Sequence, residues 1–291
     1  MHTIEKIGER FWYMTPLSET DRPILGMVVG ENKTLMIDAG NSENHAKYFL
    51  SELEKENIAN PDIVLLTHWH WDHIFGLSAL TNALSISSKQ TKSEMKKLVH
   101  LSWLDEDIDF RVNEGTEIEF CASAIKKEFP DERNIKVVLP DIVFENQLEI
   151  DLGGLTCVIQ HVGGSHALDS AVVYIKEEKI LFLSDCIYSD IYSGDRSYNI
   201  DETLKLLDII ETFDAESYIL SHWKPITKDE FKQEVTMLRA IATCTKVAKG
   251  DKEKIVEEYK KMIGQELSED EVEVINEFVN GYNKELHNII F

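Results

Sequence analysis

Cations are scarce in this 291-residue chain. It has 30 lysines and arginines against 53 aspartates and glutamates, a formal net charge of −23. Such a surface repels phosphate backbones and anionic lipid, and no basic track interrupts it, so nucleic acid and membrane are not expected partners. The acid concentrates in Glu43–Glu56, Asp105–Glu119 and Glu253–Glu277, which read as solvated helix faces and loops. Cysteine is also sparse. Cys121, Cys157, Cys186 and Cys244 are scattered without CxxC spacing, which excludes a thiolate metal site of that type and fits buried free thiols in a reducing cytoplasm. No apolar run approaches the ~18 residues of a membrane span. No apolar stretch follows the first residues, so export is not expected. No internal repeat is visible.

One decapeptide is rich where the rest is poor. Thr67–Gly76 reads Thr-His-Trp-His-Trp-Asp-His-Ile-Phe-Gly and places His68, His70, Asp72 and His73 within six positions. It follows the apolar run Ile63–Leu66, which reads as a buried strand. If the chain stays extended, 68, 70 and 72 share one face and meet just past the strand end, while His73 serves a second, adjacent ion. Two imidazoles with a carboxylate suit zinc, iron or nickel, and widen the choice toward manganese. Four ligand-type side chains at a strand exit would cost desolvation without a cation to hold.

His-x-His-x-Asp-His resembles the metal-binding signature of the metallo-β-lactamase superfamily. Three later segments resemble its other stations, in order. Val162-Gly163-Gly164-Ser165-His166 precedes Ser170 and a strand at Ala171–Ile175. Ile180–Leu183 runs into Ser184-Asp185. Tyr218-Ile219-Leu220-Ser221 leads to His222. The match covers residues 1 to about 226. Where many members have Pro-Gly-His-Thr, this chain has Gly164-Ser165-His166-Ala167, which leaves the shape of that loop open. His161 competes for the ligand role, but Ser170 and its strand fall where the family pattern wants them after His166.

The resemblance implies an α/β (α+β) fold, a four-layer αββα sandwich of two mixed sheets flanked by helices. It assigns His68, His70 and His166 to one divalent ion and Asp72, His73 and His222 to a second, with Asp185 bridging. Zinc is the first choice, manganese or iron the alternatives. Asp38 and Thr67 would brace these ligands from behind, although Asp38, Asn41 and Ser42 are also rival helix caps. Trp69 and Trp71 alternate with the ligands and read as packing residues. Tyr188, Tyr192, Trp223 and Lys224 are candidate substrate contacts, and Tyr198 a further phenol that could donate to an oxyanion. Trp103, Phe110 and Phe120, in an acidic stretch without motifs, read as core.

The expected chemistry is hydrolysis of a small ester, lactone or thioester by a metal-bridging hydroxide, with Asp72 and Asp185 in the reaction centre. No Ser-His-Asp or Cys-His nucleophile is suggested. A phosphodiesterase is the alternative within hydrolysis, and a mononuclear iron dioxygenase the alternative outside it. Diiron flavoprotein reductases fit poorly, because His70 stands where they have Glu and no flavodoxin domain follows. A non-catalytic metal sensor is disfavoured by the full set of ligand positions.

Along the chain, strands are expected over Ile4–Met14, Ile24–Val29, Thr34–Ile37, Ile135–Leu139, Ile142–Phe144, Leu148–Ile150 and Leu155–Ile159, with a helix over Glu43–Glu56. Beyond His222 strand patterns cease. Thr227-x-x-Glu230 and Ser268-x-x-Glu271 predict capped helix starts, and Gly250 and Gly264 predict stops. Three helices over 228–249, 251–263 and 269–288 would form an extension, 227–291, on a catalytic domain, 1–226. Their apolar stripes would pack on the sandwich or on a second copy in a homodimer.

Overall fold

The computed structural model describes residues 2–131 and 133–290, with side chains to His287. One sheet holds seven strands in spatial order: β1 (Ile4–Ile7), β2 (Phe11–Met14), β3 (Leu25–Val29), β4 (Thr34–Ile37), β5 (Ile63–Leu66), β6 (Leu84–Ser88) and β7 (Ile142–Phe144). Pairing is antiparallel from β1 to β4 and parallel from β4 to β7. The second sheet contains β8 (Gln147–Asp151), β9 (Thr156–His161), β10 (Ala171–Ile175), β11 (Ile180–Ser184), β12 (Ser217–Leu220) and β13 (Ile226–Thr227). Of its pairings only β11 with β12 is parallel.

The strand alternation builds three apolar layers. Leu35, Ile37, Ile63 and Leu65 face Val173, Ile175, Ile180 and Phe182 between the sheets. Met36, Val64 and Leu66 point the other way, under α1 (Glu43–Lys55), α2 (Trp71–Ile74), α4 (Asp105–Asn113) and α5 (Glu119–Glu128). α3 (Lys89–Leu98) lies beside β6 and β7. Leu181, Leu183 and Tyr218 face α6 (Ile200–Ile210), α7 (Lys228–Ala248), α8 (Lys252–Ile263) and α9 (Glu269–Ile290). The layers are therefore helix, sheet, sheet, helix. Truncating the fully buried Phe182 to alanine would cost about 3–5 kcal/mol.

The C-terminal helices pack on the sandwich. Tyr218 and Phe231 stack with ring centroids 3.9 Å apart, and Phe231, Val235, Leu238 and Ala242 are all buried against the second sheet. The Thr227–Glu230 capping box forms as expected, and Ser268 and Glu271 exchange the same pair of bonds.

Two strand expectations fail. Ile4–Met14 folds back at Gly8–Arg10 into the β1–β2 hairpin. Ile135–Leu139 is not a strand: its apolar side chains pack into the helix-covered layer, with Val137 buried, and its backbone joins neither sheet.

Candidate metal centre

β5 delivers the first cluster. The chain leaves the strand after Leu66, and His70 is its last extended residue before α2. From Trp71 the backbone turns by about 100° per residue, so the two-residue periodicity ends. The expectation that 68, 70 and 72 share one face is therefore corrected. His68 and His70 converge with His166, whereas Asp72 and His73, on the helical turn, converge with Asp185 and His222. Within each group the ligand-type atoms all lie within 4.8 Å of one another.

The turn is fixed by a close backbone approach. Gly76 N–H donates to Gly40 O at 2.9 Å, and Ala39 N–H to His73 O at 2.9 Å. A Cβ on Gly76 would lie 2.0 Å from Ala39 O, so no larger residue fits. Gly164 serves the His166 loop similarly. Its φ of +117° is open mainly to glycine, and an added Cβ would meet Cys186 O at 2.7 Å.

Asp185, at the exit of β11, joins the groups. Its Oδ2 lies 3.2 Å from Nε2 of both His73 and His222, 3.5 Å from His166 Nε2 and 3.8 Å from His68 Nε2. One oxygen of Asp185 thus faces both groups. Asp72 Oδ2 lies 3.0 Å from His73 Nε2 and 3.2 Å from His222 Nε2. Yet Asp72 Oδ2, Asp185 Oδ1, His68 Nε2 and His166 Nε2 are buried without a hydrogen-bond partner. Unpartnered lone pairs converging at the floor of a cleft fit divalent cations, which accept what no donor here satisfies.

A polar floor orients these side chains. Asp38 Oδ2 lies 2.8 Å from His73 Nδ1, while its Oδ1 accepts from Thr67 N–H at 2.8 Å. Thr67 Oγ1 donates to Asp38 Oδ2 at 2.9 Å and lies 3.1 Å from His68 Nδ1 and 2.8 Å from Ser184 Oγ. His166 Nδ1 donates to Ser189 O at 3.0 Å, which turns Nε2 toward the cleft. Asp38 and Ser184 both hold left-handed backbones, φ +61° and +53°, so strain gathers where β4 and β11 end. The helix cap of α1 is Ser42, not Asp38.

The two groups differ electrostatically. Burial holds His68, His70 and His166 below the usual histidine range, in the neutral form that donates a lone pair to a metal. Burial also opposes charge on His73 and His222, but the carboxylates of Asp72 and Asp185, joined at His73 by Asp38, outweigh it and raise both. Those histidines in turn hold Asp72 and Asp185 low against burial. Each proton shared by an imidazole and a carboxylate marks a place where a cation can substitute.

A chamber of 1380 Å³ opens onto both groups. Tyr188, Tyr192, Trp223 and Lys224 all line it. Lys224 Nζ reaches Glu230 at 3.3 Å, and Trp223 is 61% exposed. Other expectations are corrected. Tyr198 is buried on Phe278 and donates to Ile187 O, so its phenol is committed elsewhere. Phe120 is 57% exposed and lines the chamber, and Phe110 is exposed too, because α5 and α4 bury their opposite faces; Trp103 is core. Trp71 packs on Phe75, but Trp69 lines a second cavity beside His70. His161 lies outside the clusters, its Nε2 on Leu168 O.

Sequence reasoning missed Asp21, 3.4 Å from His222 Nδ1 and pushed up to about 7, first by burial and then by the charge of Asp72. It also missed Ser184 and Ser221, whose hydroxyls lie 3.2 Å apart in the floor. Asp21-Arg22-Pro23 carries a turn signal, but nothing local ties it to a residue two hundred positions away.

Known proteins resemble this chain in sequence and in fold. A family model described as the metallo-beta-lactamase superfamily matches residues 23–222. A linear primary-alkylsulfatase from Pseudomonas sp. is 23% identical over 238 residues, 72% of this chain but 43% of that protein, so the chain spans less than half of its relative's length. Among solved structures, a metallo-beta-lactamase from Pontibacter korlensis is similar with a TM-score of 0.56 at 16% identity, over 81% of this chain and 98% of that one. One from Hirschia baltica gives 0.56 at 17%, over 81% and 96%. The matched segment begins just before β3 and ends on His222, so it takes in the three-histidine group, the histidine–aspartate group and most of both sheets; on that ground the chain belongs to the metallo-β-lactamase superfamily.

Proposed function

We propose that this protein is a binuclear metal-dependent hydrolase of a small ester, lactone or thioester. The observation that carries this reading is Asp185 Oδ2, set 3.2–3.8 Å from imidazole nitrogens of both groups at the floor of one chamber. His68, His70 and His166 would hold one divalent ion, Asp72, His73 and His222 the other, and Asp185 both. Zinc suits the imidazole-rich set, with manganese or iron as alternatives. Such ions supply Lewis acidity and bring the pKa of water from 15.7 toward about 7.

The chain's own groups do the rest. Asp38 holds His73, and Ser189 O holds His166, so both rings stay aimed as charge develops. Asp72 Oδ2, between His73 and His222, would close the shell of the second ion rather than carry a proton. The Tyr188 ring lies 6.2 Å from His166 and 6.4 Å from His222. Burial keeps its phenol protonated, and a protonated phenol can donate to a developing oxyanion. Residues 1–226 carry this chemistry in the proposal, with 227–291 as a packed extension. Four buried free thiols fit a reducing compartment such as the cytoplasm. No described helix is long and apolar enough to cross a membrane.

The test is metal analysis of purified protein with a panel of ester, lactone, thioester and phosphodiester substrates. A primary alkyl sulfate joins the panel because of the Pseudomonas relative's name. Two ions per chain with acyl hydrolysis supports the proposal. One iron with oxygen consumption would replace it with the dioxygenase reading.

A further inference from the structure

The rings that converge on the cleft are backed by different oxygens. In the first group, His68 Nδ1 faces the Thr67 hydroxyl at 3.1 Å and His166 Nδ1 faces the Ser189 carbonyl at 3.0 Å, both neutral. In the second group, His73 Nδ1 faces the Asp38 carboxylate at 2.8 Å. His222 repeats that second pattern. Its Nε2 lies 3.2 Å from both Asp72 and Asp185, and its Nδ1 lies 3.4 Å from Asp21 Oδ1.

Asp21 is held for this contact by its surroundings. Its side chain is 14% exposed, although it sits in the loop between β2 and β3, and His222 is its one ion-pair partner among the described residues. A carboxylate taken from water costs free energy unless a donor or an opposite charge meets it. The adjacent cation does not meet it, because Arg22 is forked onto Glu128 of α5, with Nη2 at 2.7 Å and Nε at 3.0 Å. The backbone at Asp21 is left-handed, φ +54°, which aspartate and asparagine adopt more readily than most residues. The loop is anchored on both sides of it. Leu17 and Arg22 exchange backbone hydrogen bonds at 2.9 and 3.0 Å, and Asn41 Nδ2 donates to Thr20 O at 2.8 Å. Ile24 N–H donates at 2.7 Å to Ser221 O, one residue before His222. A fixed loop and a fixed strand end thus set the carboxylate against the imidazole.

Resting on the binuclear reading, we propose that Asp21 is the positioning residue of His222: its carboxylate takes up Nδ1–H, fixes the tautomer and the ring, and leaves the Nε2 lone pair toward Asp72 and Asp185 for the second ion. At 3.4 Å the contact is long for a hydrogen bond, and an ion at Nε2 strengthens it by making Nδ1–H a better donor. Both histidines of the second group are then backed by carboxylates, Asp38 and Asp21, and neither ring of the first group with a described backing oxygen is.

Zinc affinities of the full chain, measured by competition with a chromophoric chelator, test this without turnover. Asp21→Gly removes the carboxylate and leaves the left-handed backbone unstrained. It should weaken one of the two ions by about 10–100-fold and leave the other within about twofold. Asp21→Asn keeps an acceptor oxygen and the backbone preference, so its affinity should fall between those of wild type and Asp21→Gly. His222→Ala should weaken the same ion, and adding Asp21→Gly to it should cost less than about twofold more, because both changes act through one ring. The metal-free Asp21→Asn variant should melt with the metal-free wild type, whereas a loop-bracing role would lower its Tm. Two ions held by Asp21→Gly at wild-type affinity overturn the assignment and leave the binuclear reading intact. Equal weakening of both ions, or a full further loss in the His222→Ala background, also overturns it. A wild type that binds one ion, weakened by Asp21→Gly but not further in His222→Ala, keeps the Asp21 assignment and removes the binuclear reading.

Discussion

The floor and the walls of the cleft are built on different principles. In the floor, Asp38, Thr67, His68, His73, Ser184 and Asp185 are all buried, and a single hydrogen-bonded network joins strand ends from both sheets. In the walls, Phe120 and Trp223 stand out into solvent, and Lys224 is tied only to a surface glutamate. The difference separates two tasks. Ligand geometry must be held to fractions of an ångström, which requires packing and mutual hydrogen bonds. Substrate walls need apolar area of the right extent, and loosely held side chains at helix ends and loops supply it.

The largest expected effect breaks the floor at its centre. Asp185→Ala should remove ions from both groups and lower kcat/KM by at least about 10³-fold, while circular dichroism stays native-like. Retained activity with full metal content would show that the two groups do not share Asp185. Metal removal comes next. Chelation should abolish turnover and lower Tm, because it returns unpartnered buried nitrogens and carboxylates to the cleft, and added zinc should restore both. A chelated protein with unchanged Tm would mean that the floor does not need cations for stability. Asp38→Asn keeps the shape and removes a charge behind His73, so metal affinity or activity should fall about 10–100-fold.

The walls should respond more weakly and in a different parameter. Phe120→Ala and Trp223→Ala should each raise KM about three- to tenfold for long acyl chains, less for acetyl, with kcat nearly unchanged. A loss in kcat equal to that of Asp38→Asn would erase the floor–wall distinction. The smallest effect concerns the thiols. Burial pushes Cys157 up to about 12 and raises Cys121, Cys186 and Cys244 as well. A raised thiol pKa means little thiolate below it, so at pH 8 the folded protein should resist a thiol reagent that labels all four cysteines once the chain unfolds.

Much of the floor was legible because its signals are local. Four ligand-type residues within six positions need no long-range information, and the strand–turn–strand pattern around His166 and Asp185 is almost as compact. The capped helix starts at Thr227 and Ser268 depend on residues three positions apart. The walls were poorly legible. Composition does not say which face of a short acidic helix is buried, so Phe120 looks like core in sequence yet lines the chamber; proximity to Asp185 does not show where a loop folds, so Tyr198 looks like a wall residue yet is buried.

Sequence alone determined the inventory of ligand-type residues, the layered alternation of sheets and helices, and the superfamily resemblance, since each rests on residue type and short-range periodicity. Tertiary structure alone decided that Asp72 leaves the face of His68 and His70, that a single Asp185 oxygen lies between the two groups, that Asp21 stands beside His222, and that a second chamber lies beneath α9. The physical reason is that side-chain direction follows backbone torsion. One helical turn at Trp71 rotates Asp72 away from His70, and residues two hundred positions apart become neighbours only when the two sheets close face to face.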